Sequence, residues 1–333
     1  MKRLLYILTI TLVLVSCGTK DGYFKIEGRF LNLNQGEFYV YSTDGAVAGV
    51  DTIRISGGRF VYEMRCNKPS TLMMVFPNFS EQPVFAEPGE KVTMKADASH
   101  LKELTVEGTA LNKQMNSFRA MIANVSPPEA IQKAEMFIGD HPESIVSNYL
   151  LRRYFIQTPT PNLTKASAFL SKLIQAQPKN GDLVRLKKDV DRLCLSLIGK
   201  QLPPFTATAV NGRTVSGSDL RGKVAVVHTW STWNYESQDV QRRIRYAKND
   251  YGARLAVLGI NIDGSKHDCE EFLKRDSLPW PTVCDEKMFE GELMEKLGLS
   301  TVPDNIVIDA SGKIVARGLL PDDMKKKLEE LLK

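Results

Sequence analysis

The stretch from Lys223 to Ser237 constrains the fold of this chain more than any other, because the hydrophobic pattern changes period across it. It begins with the β-branched apolar run Val224-Ala225-Val226-Val227, which is typical of a buried parallel strand. Beyond an aromatic turn, apolar residues recur at helical spacing and end at Gly252, a C-cap residue. The pattern predicts a strand, a tight turn and a helix, with the turn's side chains at the helix N-terminus.

The turn reads Thr-Trp-Ser-Thr-Trp-Asn-Tyr-Glu-Ser from position 229 to 237. It resembles the start of a thioredoxin-like domain of the envelope thiol–disulfide oxidoreductase (AhpC/TSA) type, whose motif is Trp-Cys-x-x-Cys. Trp230 and Trp233 fall where that family has its two tryptophans, so Asn234 and Ser237 occupy its two cysteine positions. The chemistry that the resemblance implies needs a thiolate at the first position and a resolving thiol at the second. Neither residue supplies one.

Three interpretations of this turn stay open. Asn234 can act as an N-cap, and Glu236 in the first helical turn suits the helix dipole, so the turn is compatible with a redox-inactive helix start that serves stability. A second interpretation is a binding site that uses Tyr235 and Glu236. The third is hydrolytic or other catalysis.

The thioredoxin-like pattern extends over residues 199–333 as strands alternating with helices, which predicts an α/β domain with a central sheet covered on both faces. Pro303, preceded by Val302, matches the family's cis-proline loop, so we expect a cis bond there. The resemblance implies that this loop exposes a backbone edge on which an extended partner segment can pair. Such binding needs no thiol.

The N-terminus has the order of a bacterial lipoprotein leader. A basic start is followed by an apolar stretch from Leu4 to Val15, too short for a lasting membrane span, and Leu14-Val15-Ser16-Cys17 fits a lipobox. We therefore predict a signal peptide at 1–16, lipid on Cys17 and a tether at 17–22, in a protein anchored in the cell envelope. The sequence does not indicate which side of the membrane it faces.

Charge argues against nucleic-acid binding. The formal net charge is +5, and removal of 1–16 takes away Lys2 and Arg3, which leaves +3 spread along the mature chain.

Residues 23–108 show short alternating strands with turn signals such as Gly57-Gly58, which predict an antiparallel β-sandwich. The order resembles an uncharacterised β-domain found ahead of thioredoxin-like domains in envelope lipoproteins, and it carries no known site. Cys66 lies in phase with the apolar face, which favours a buried residue over a reactive one.

Residues 109–198 change to helical period and predict four or five short helices that bridge the two domains. These helices are either a structural spacer or a partner-binding surface. Nothing in the sequence indicates which residues would form such a surface.

Besides Cys17 and Cys66, the chain has Cys194, Cys269 and Cys284. Cys269 begins the helix after the second parallel strand, and Cys284 ends the strand after that helix, which places both at one edge of a right-handed βαβ unit. The two cysteines either form a disulfide or remain two buried free thiols. If the disulfide forms, a structural role is favoured over a catalytic one. His267 beside Cys269 offers a way to lower its pKa, and this is the route by which the chain could perform thiol chemistry.

No cofactor motif is found: the four histidines lack metal-ligand spacing, and no glycine-rich phosphate loop occurs. His228, at the end of the first parallel strand, is expected to be a satisfied core or rim residue.

The leading hypothesis is thus a lipid-anchored envelope protein whose thioredoxin-like domain has lost its redox pair and binds or scaffolds a peptide or protein. The expected binding residues are Trp233, Tyr235, Glu236, Val302 and Pro303. The alternative is a thiol–disulfide oxidoreductase that acts through Cys269 and Cys284.

Overall fold

The computed structural model describes residues 20–333, so the predicted signal peptide, Cys17 and the first part of the tether lie outside the described residues. The chain divides into two compact units. One contains the residues up to Pro161 together with Ser171–Leu183, and the other contains Asn162–Leu170 together with Val184–Lys333.

The first unit contains an eight-stranded sheet. Its strands are β1 (Tyr23–Leu31), β2 (Gln35–Ser42), β3 (Val50–Ser56), β4 (Arg59–Arg65), β5 (Ser70–Val75), β6 (Glu81–Ala86), β7 (Lys91–Asp97) and β8 (Thr105–Glu107). They are arranged in the order β6-β5-β2-β3-β4-β1-β7-β8. The predicted β-rich N-terminal domain is confirmed, with two differences: the strands form one continuous sheet, and β1 pairs in parallel with β7.

One face of this sheet forms a core because apolar side chains alternate along each strand. In β1, Phe24, Ile26 and Phe30 are buried, and they pack with residues from every other strand of the sheet. Cys66 belongs to the same core and is 2% exposed, as the alternation predicted.

Five helices follow, in agreement with the predicted helical region. They are α1 (Ala110–Ile122), α2 (Pro127–Asp140), α3 (Ile145–Leu151, continued by a π-helical turn Arg152–Ile156), α4 (Leu163–Ala176) and α5 (Gly181–Cys194).

Helix α1 is joined to both edge strands of the sheet by two asparagines one helical turn apart. Asn112 accepts from the Phe85 N–H at 3.0 Å and donates to the Phe85 carbonyl at 2.7 Å, on β6. Asn116 makes the same pair of bonds with Val106 on β8, at 3.1 and 2.7 Å. Each amide therefore substitutes for a neighbouring strand, and α1 covers edges that would otherwise be unpaired.

The second unit has the predicted α/β order. A hairpin, β9 (Thr206–Thr208) and β10 (Thr214–Ser216), precedes β11 (Val224–Trp230), α6 (Tyr235–Tyr251), β12 (Leu255–Asn261), α7 (Lys266–Asp276), β13 (Thr282–Cys284), α8 (Glu292–Lys296), β14 (Asp304–Ile308), β15 (Ile314–Arg317) and α9 (Pro321–Leu332). The sheet order is β13-β12-β11-β14-β15, with β11, β12 and β13 parallel and β14 and β15 antiparallel.

Both faces of this second sheet are covered, as predicted. Val226 and Val307 face α6 and α9, while Ala225, Val227 and Ile306 pack on the opposite side with α8 and the β9–β10 hairpin. Because β11 is central and buried on both faces, its carboxyl end positions the following turn rigidly.

Candidate functional site

In the turn between β11 and α6, the side chains at the two positions that matter for thiol chemistry bond to the main chain. Asn234 is the N-cap of α6, as predicted, and its Oδ1 accepts from the Ser237 N–H at 2.7 Å. The Ser237 hydroxyl is buried, donates to the Asn234 carbonyl at 2.7 Å and accepts from the Ser231 N–H at 3.2 Å. The Ser237 proton is therefore directed at a main-chain carbonyl and not at a base, so hydrolytic catalysis finds no activated nucleophile here.

Two further residues, which the sequence analysis did not single out, hold the preceding part of the turn. Asp263, buried at the end of β12, accepts from the Thr232 N–H at 3.1 Å and from the Asn261 side-chain amide at 2.8 Å. Gln238 donates to the Thr232 carbonyl at 2.9 Å. The turn is thereby fixed from the sheet and from the helix. The available signal for Asp263 was an acidic residue two positions beyond a parallel strand.

Around this fixed backbone, the aromatic side chains point outward. Trp233 is 53% exposed and Tyr235 is 83% exposed. Glu236 is also exposed. Trp230, in contrast, is fully buried against Phe272, with ring centroids 4.9 Å apart. The two tryptophans thus have different roles: Trp230 belongs to the core, and Trp233 belongs to the surface.

The cis-proline loop lies at the same edge of the sheet as the turn. The Val302–Pro303 peptide bond is cis, as the sequence predicted, and both residues are half-buried. Thr229 pairs with Asp304 across β11 and β14, and its hydroxyl accepts from the Asp304 N–H at 2.7 Å and donates to the Thr301 carbonyl at 2.9 Å. One threonine at the end of β11 therefore fastens both ends of the loop that contains Val302 and Pro303.

An ion pair lies directly behind the loop. The Asp304 carboxylate is 3.2 Å from the Arg317 guanidinium, and both side chains are largely buried. Burial raises the pKa of Asp304, although Arg317 and the Asn305 N–H oppose the rise. Arg317 also donates to the Gly298 carbonyl and the Ser196 hydroxyl, so it holds together segments before and after the loop.

His228 is buried, as expected, but it is not satisfied. Among the described residues, neither ring nitrogen has a hydrogen-bond partner, and the ring packs edge-on against Trp280 with centroids 5.9 Å apart. Desolvation lowers the pKa of His228 to about 3, so the ring is neutral at physiological pH. It cannot serve as a general base for Ser237, whose hydroxyl bonds elsewhere.

Cys269 and Cys284 are free thiols in the structure and are not bridged. They share a small buried cluster with Trp230 and Phe272. The interaction between the two side chains lowers the pKa of Cys284 and, together with burial, raises the pKa of Cys269. The topology thus brings the two sulfurs together at the edge that the βαβ argument indicated, while His267 is exposed on α7 and is not among the causes of either shift.

Within residues 20–333, no group of three or more His, Cys, Asp or Glu side chains is arranged to hold a metal ion. In the same range, no helix combines the length and apolarity that crossing a membrane requires.

Comparison with known proteins identifies two regions. Residues 198–317 match the model of the AhpC/TSA family, and residues 24–115 match a domain of unknown function, DUF4369. Thiol-disulfide oxidoreductase ResA from Bacillus thuringiensis is 25% identical over 140 residues, which are 41% of this chain and 77% of that protein. ResA from Geobacillus thermodenitrificans is 26% identical over 141 residues, 40% of this chain and 78% of the relative.

A solved thiol-disulfide oxidoreductase from Bacteroides fragilis is 28% identical with a TM-score of 0.37, and the match covers 40% of this chain and 100% of that one.

Proposed function

The C-terminal part of the chain is a thioredoxin-like domain of the AhpC/TSA family, homologous to thiol-disulfide oxidoreductases, and from this premise we propose that it recognises an extended segment of a protein partner without exchanging electrons at its turn. The observation that carries the proposal is the bonding of Asn234 and Ser237. The first is occupied as an N-cap, and the second is buried with its hydroxyl bonded to the main chain.

The absence of sulfur at these positions supports a turn without redox chemistry. Disulfide exchange begins when a thiolate attacks a sulfur atom, and it ends when a second thiol resolves the mixed disulfide. An amide and a hydroxyl perform neither step. The fold around them is nevertheless complete, including the fixed turn and the cis-proline loop, which supports a role that uses the shape of the surface.

The recognition surface consists of Trp233, Tyr235, Glu236, Val302 and Pro303. Exposed tryptophan and tyrosine are the side chains most enriched where proteins bind one another, since they offer a large contact area at low entropic cost. The neighbouring loop lies beside the start of β14, where an extended segment can lie along the backbone. We infer that an extended polypeptide segment with an apolar side chain packs on Trp233.

The proposal includes the place where the protein works. The leader pattern and lipobox of residues 1–17 support a lipid-anchored protein of the bacterial envelope. Two or three acyl chains hold a protein stably on a membrane, whereas a single chain binds only marginally, so lipid on Cys17 would keep the protein attached to the membrane.

Photo-crosslinking tests the surface. A photoreactive phenylalanine at position 235 of the full-length protein, activated in envelope membranes, is expected to yield a discrete protein adduct. Trp233→Ala should reduce the adduct at least about fivefold, since a buried aromatic anchor is worth 1 kcal/mol or more. Tyr246→Ala is the matched control, because Tyr246 lies on α6, as Tyr235 does, and is 56% exposed. An adduct that is equally sensitive to both substitutions contradicts the proposal.

The alternative function, disulfide exchange with protein substrates through Cys269 and Cys284, is favoured by the packing of both residues in one buried cluster. An insulin reduction assay with dithiothreitol distinguishes partner recognition from disulfide exchange. We expect the wild type to match the Cys269→Ser/Cys284→Ser variant. Turnover above that of the variant would establish the alternative.

A further inference from the structure

A cleft of about 300 Å³ opens in the second unit between strand β13 and the extended segment 206–210, and none of the proposed recognition residues lines it. Strand β13 is the outermost strand of the five-stranded sheet, and β9 belongs to the separate two-stranded hairpin. A hydrogen bond of 2.8 Å from the Val210 N–H to the Thr282 carbonyl joins the two segments at one end. Beyond that bond the cleft lies between them.

The wall formed by β13 presents main-chain groups to the cleft. The Gly259 N–H on β12 donates to the Pro281 carbonyl at 3.0 Å, which fixes the direction of the groups along the following strand. Because these groups alternate in direction, Val283 bonds to β12, whereas the N–H and carbonyl of Cys284 point away from it. The Cys284 side chain belongs to a buried apolar cluster, so its main chain is the part that faces the cleft.

The opposite wall presents main-chain groups of the same kind. The Ala209 N–H donates to the Arg213 carbonyl at 2.8 Å, so the main-chain groups of Ala209 bond within the hairpin. By the same alternation, the N–H and carbonyl groups of Thr206 and Thr208 point away from β10 and towards β13, as the Val210 N–H does.

Two strand edges therefore face each other across the cleft. Across the described residues, the outward main-chain groups of Thr206, Thr208 and Cys284 have no hydrogen-bond partner. An unpaired edge is a template for an extended chain, and two facing edges can bond to both sides of one. Extended polypeptide is the ligand that fits such a site, because its own N–H and carbonyl groups alternate in direction at the same spacing.

We propose that this cleft binds a short extended segment of a partner protein as a strand inserted between β9 and β13. The segment bonds through its main chain to Thr206 and Thr208 on one side and to Cys284 on the other. It thereby extends the five-stranded sheet into the hairpin. The site is separate from the surface around Trp233 and does not depend on it.

The lining of the cleft indicates which side chains the segment carries. Val283 and Leu293 belong to the core and line the cleft, so one side chain of the segment packs on an apolar surface. A small β-branched residue suits this position, because the cleft is small and such residues favour strands. Charged side chains of both signs surround it, so net charge gives no strong preference: Lys266, Asp285, Glu292 and Lys296.

Titration of the full chain with the peptide acetyl-Thr-Val-Thr-Val-Thr-amide, followed by NMR of the backbone amides, tests the proposal. We expect saturable shifts of the amide signals of Thr206, Thr208 and Cys284, and slower exchange of these amides with D2O. The amides of Ala209 and Val283, which bond within the sheets, are the internal controls and should keep their exchange rates. The same peptide with both valine nitrogens methylated should bind at least about fivefold more weakly, because it loses its donors to one edge.

A pair of proline substitutions tests the same bonds from the side of the protein. Thr208→Pro removes an N–H that faces the cleft and no bond of the hairpin, so it should weaken peptide binding at least about threefold. Thr214→Pro is the matched control, because Thr214 pairs with Thr208 and its N–H points away from β9. It should bind the peptide as the wild type does. Thermal unfolding shows whether both variants are folded, and the methylated peptide tests the proposal without any change in the protein.

Three results would overturn the proposal: no saturable shift of the three cleft amides, shifts confined to other residues, or equal affinity for the methylated peptide. Protection of the same amides that rises with protein concentration in the absence of peptide would show that a second copy of the chain occupies the cleft, which also contradicts it. Trp233→Ala should leave the affinity for the peptide unchanged. Failure of this site and failure of the recognition surface are therefore distinguishable.

Discussion

At the scale of single residues, His228 is the most unusual group in the chain. It is fully buried on a central strand, and the side chains near it include other polar groups without protein partners among the described residues. Trp230 Nε1, Trp280 Nε1 and Thr282 Oγ1 lie 3.2, 3.5 and 2.8 Å from the point that a β-carbon on Gly259 would occupy. A β-carbon at position 259 would therefore crowd these polar atoms, and glycine is required there for close packing.

Burial of His228 makes the stability of the second unit dependent on pH. The ordinary pKa is 6.5 and the folded pKa is about 3, so between these values the unfolded chain binds a proton that the folded chain does not. Stability is fully present above pH 6.5 and is lost as pH falls towards 3. At pH 5 the loss is about 2 kcal/mol relative to pH 7.

Urea denaturation at pH 7 and pH 5, followed by tryptophan fluorescence, measures this loss. His228→Leu should remove most of the difference between the two pH values, whereas His267→Gln, at an exposed position, should leave it in place. An unchanged difference in the His228→Leu variant would show that other groups cause it.

The N-cap residue Asn234 offers a second prediction at this scale. Asn234→Ala removes the acceptor of the Ser237 N–H and should destabilise the protein by about 1 kcal/mol. Asn234→Asp keeps the acceptor and suits the helix dipole, so its stability should lie within a few tenths of a kcal/mol of wild type. Chemical denaturation at neutral pH checks both, and equal losses in the two variants would contradict a capping role.

At the scale of elements, helix α1 completes the eight-stranded sheet through its asparagines. Asn112→Ala leaves the buried N–H and carbonyl of Phe85 without a partner and should destabilise the first unit by about 2–4 kcal/mol. Asn116→Ala removes bonds to Val106 that are only partly buried, because Asn116 itself is half-buried, and should cost about 1 kcal/mol. Ser117→Ala, exposed on the same helix, is the control and should change stability by less than about 0.5 kcal/mol.

Equilibrium unfolding curves give these differences. The loss of stability should be largest for Asn112→Ala, smaller for Asn116→Ala and smallest for Ser117→Ala. A larger loss in Ser117→Ala than in Asn112→Ala would show that the side-chain bonds do not hold the sheet edges.

The same elements show what the sequence could predict. Strand β11, the turn, the N-cap at Asn234 and the cis bond before Pro303 follow from local patterns or from the family resemblance, because each depends on neighbouring residues. The parallel pairing of β1 with β7 does not, since a strand's alternation defines its buried face and not its neighbour. The bonds from Asn112 to β6 also join residues that are 27 positions apart.

The candidate site divides in the same way. Trp233 and Tyr235 were predicted as binding residues from the family resemblance. The anchoring of the turn by Asp263 was not predicted, because Asp263 is 31 positions from Thr232. The unsatisfied state of His228 was likewise not predictable, since it depends on which side chains from β12 and β13 face the ring.

At the scale of the whole molecule, the described residues form two compact units, and the predicted leader lies outside them. Each unit has its own buried core, one formed by the eight-stranded sheet and the other by the five-stranded sheet. Removal of the predicted signal peptide would take away Lys2 and Arg3 and lower the net charge from +5 to +3, which supplies little electrostatic attraction to an anionic membrane. If the protein is held in the envelope, lipid on Cys17 has to provide the binding energy.

This gives the last prediction. The wild type, expressed in a bacterium that processes lipoproteins, should sediment with membranes and be released by detergent, whereas Cys17→Ser should appear in the soluble fraction. Each buried methylene of an acyl chain contributes about 0.8 kcal/mol, so the loss of two or more chains removes stable anchoring. Cys66→Ser is the matched control, because Cys66 lies in the core of the β-rich domain and should not affect fractionation. A Cys17→Ser protein that still sediments and needs detergent for its release would show that the attachment has another origin.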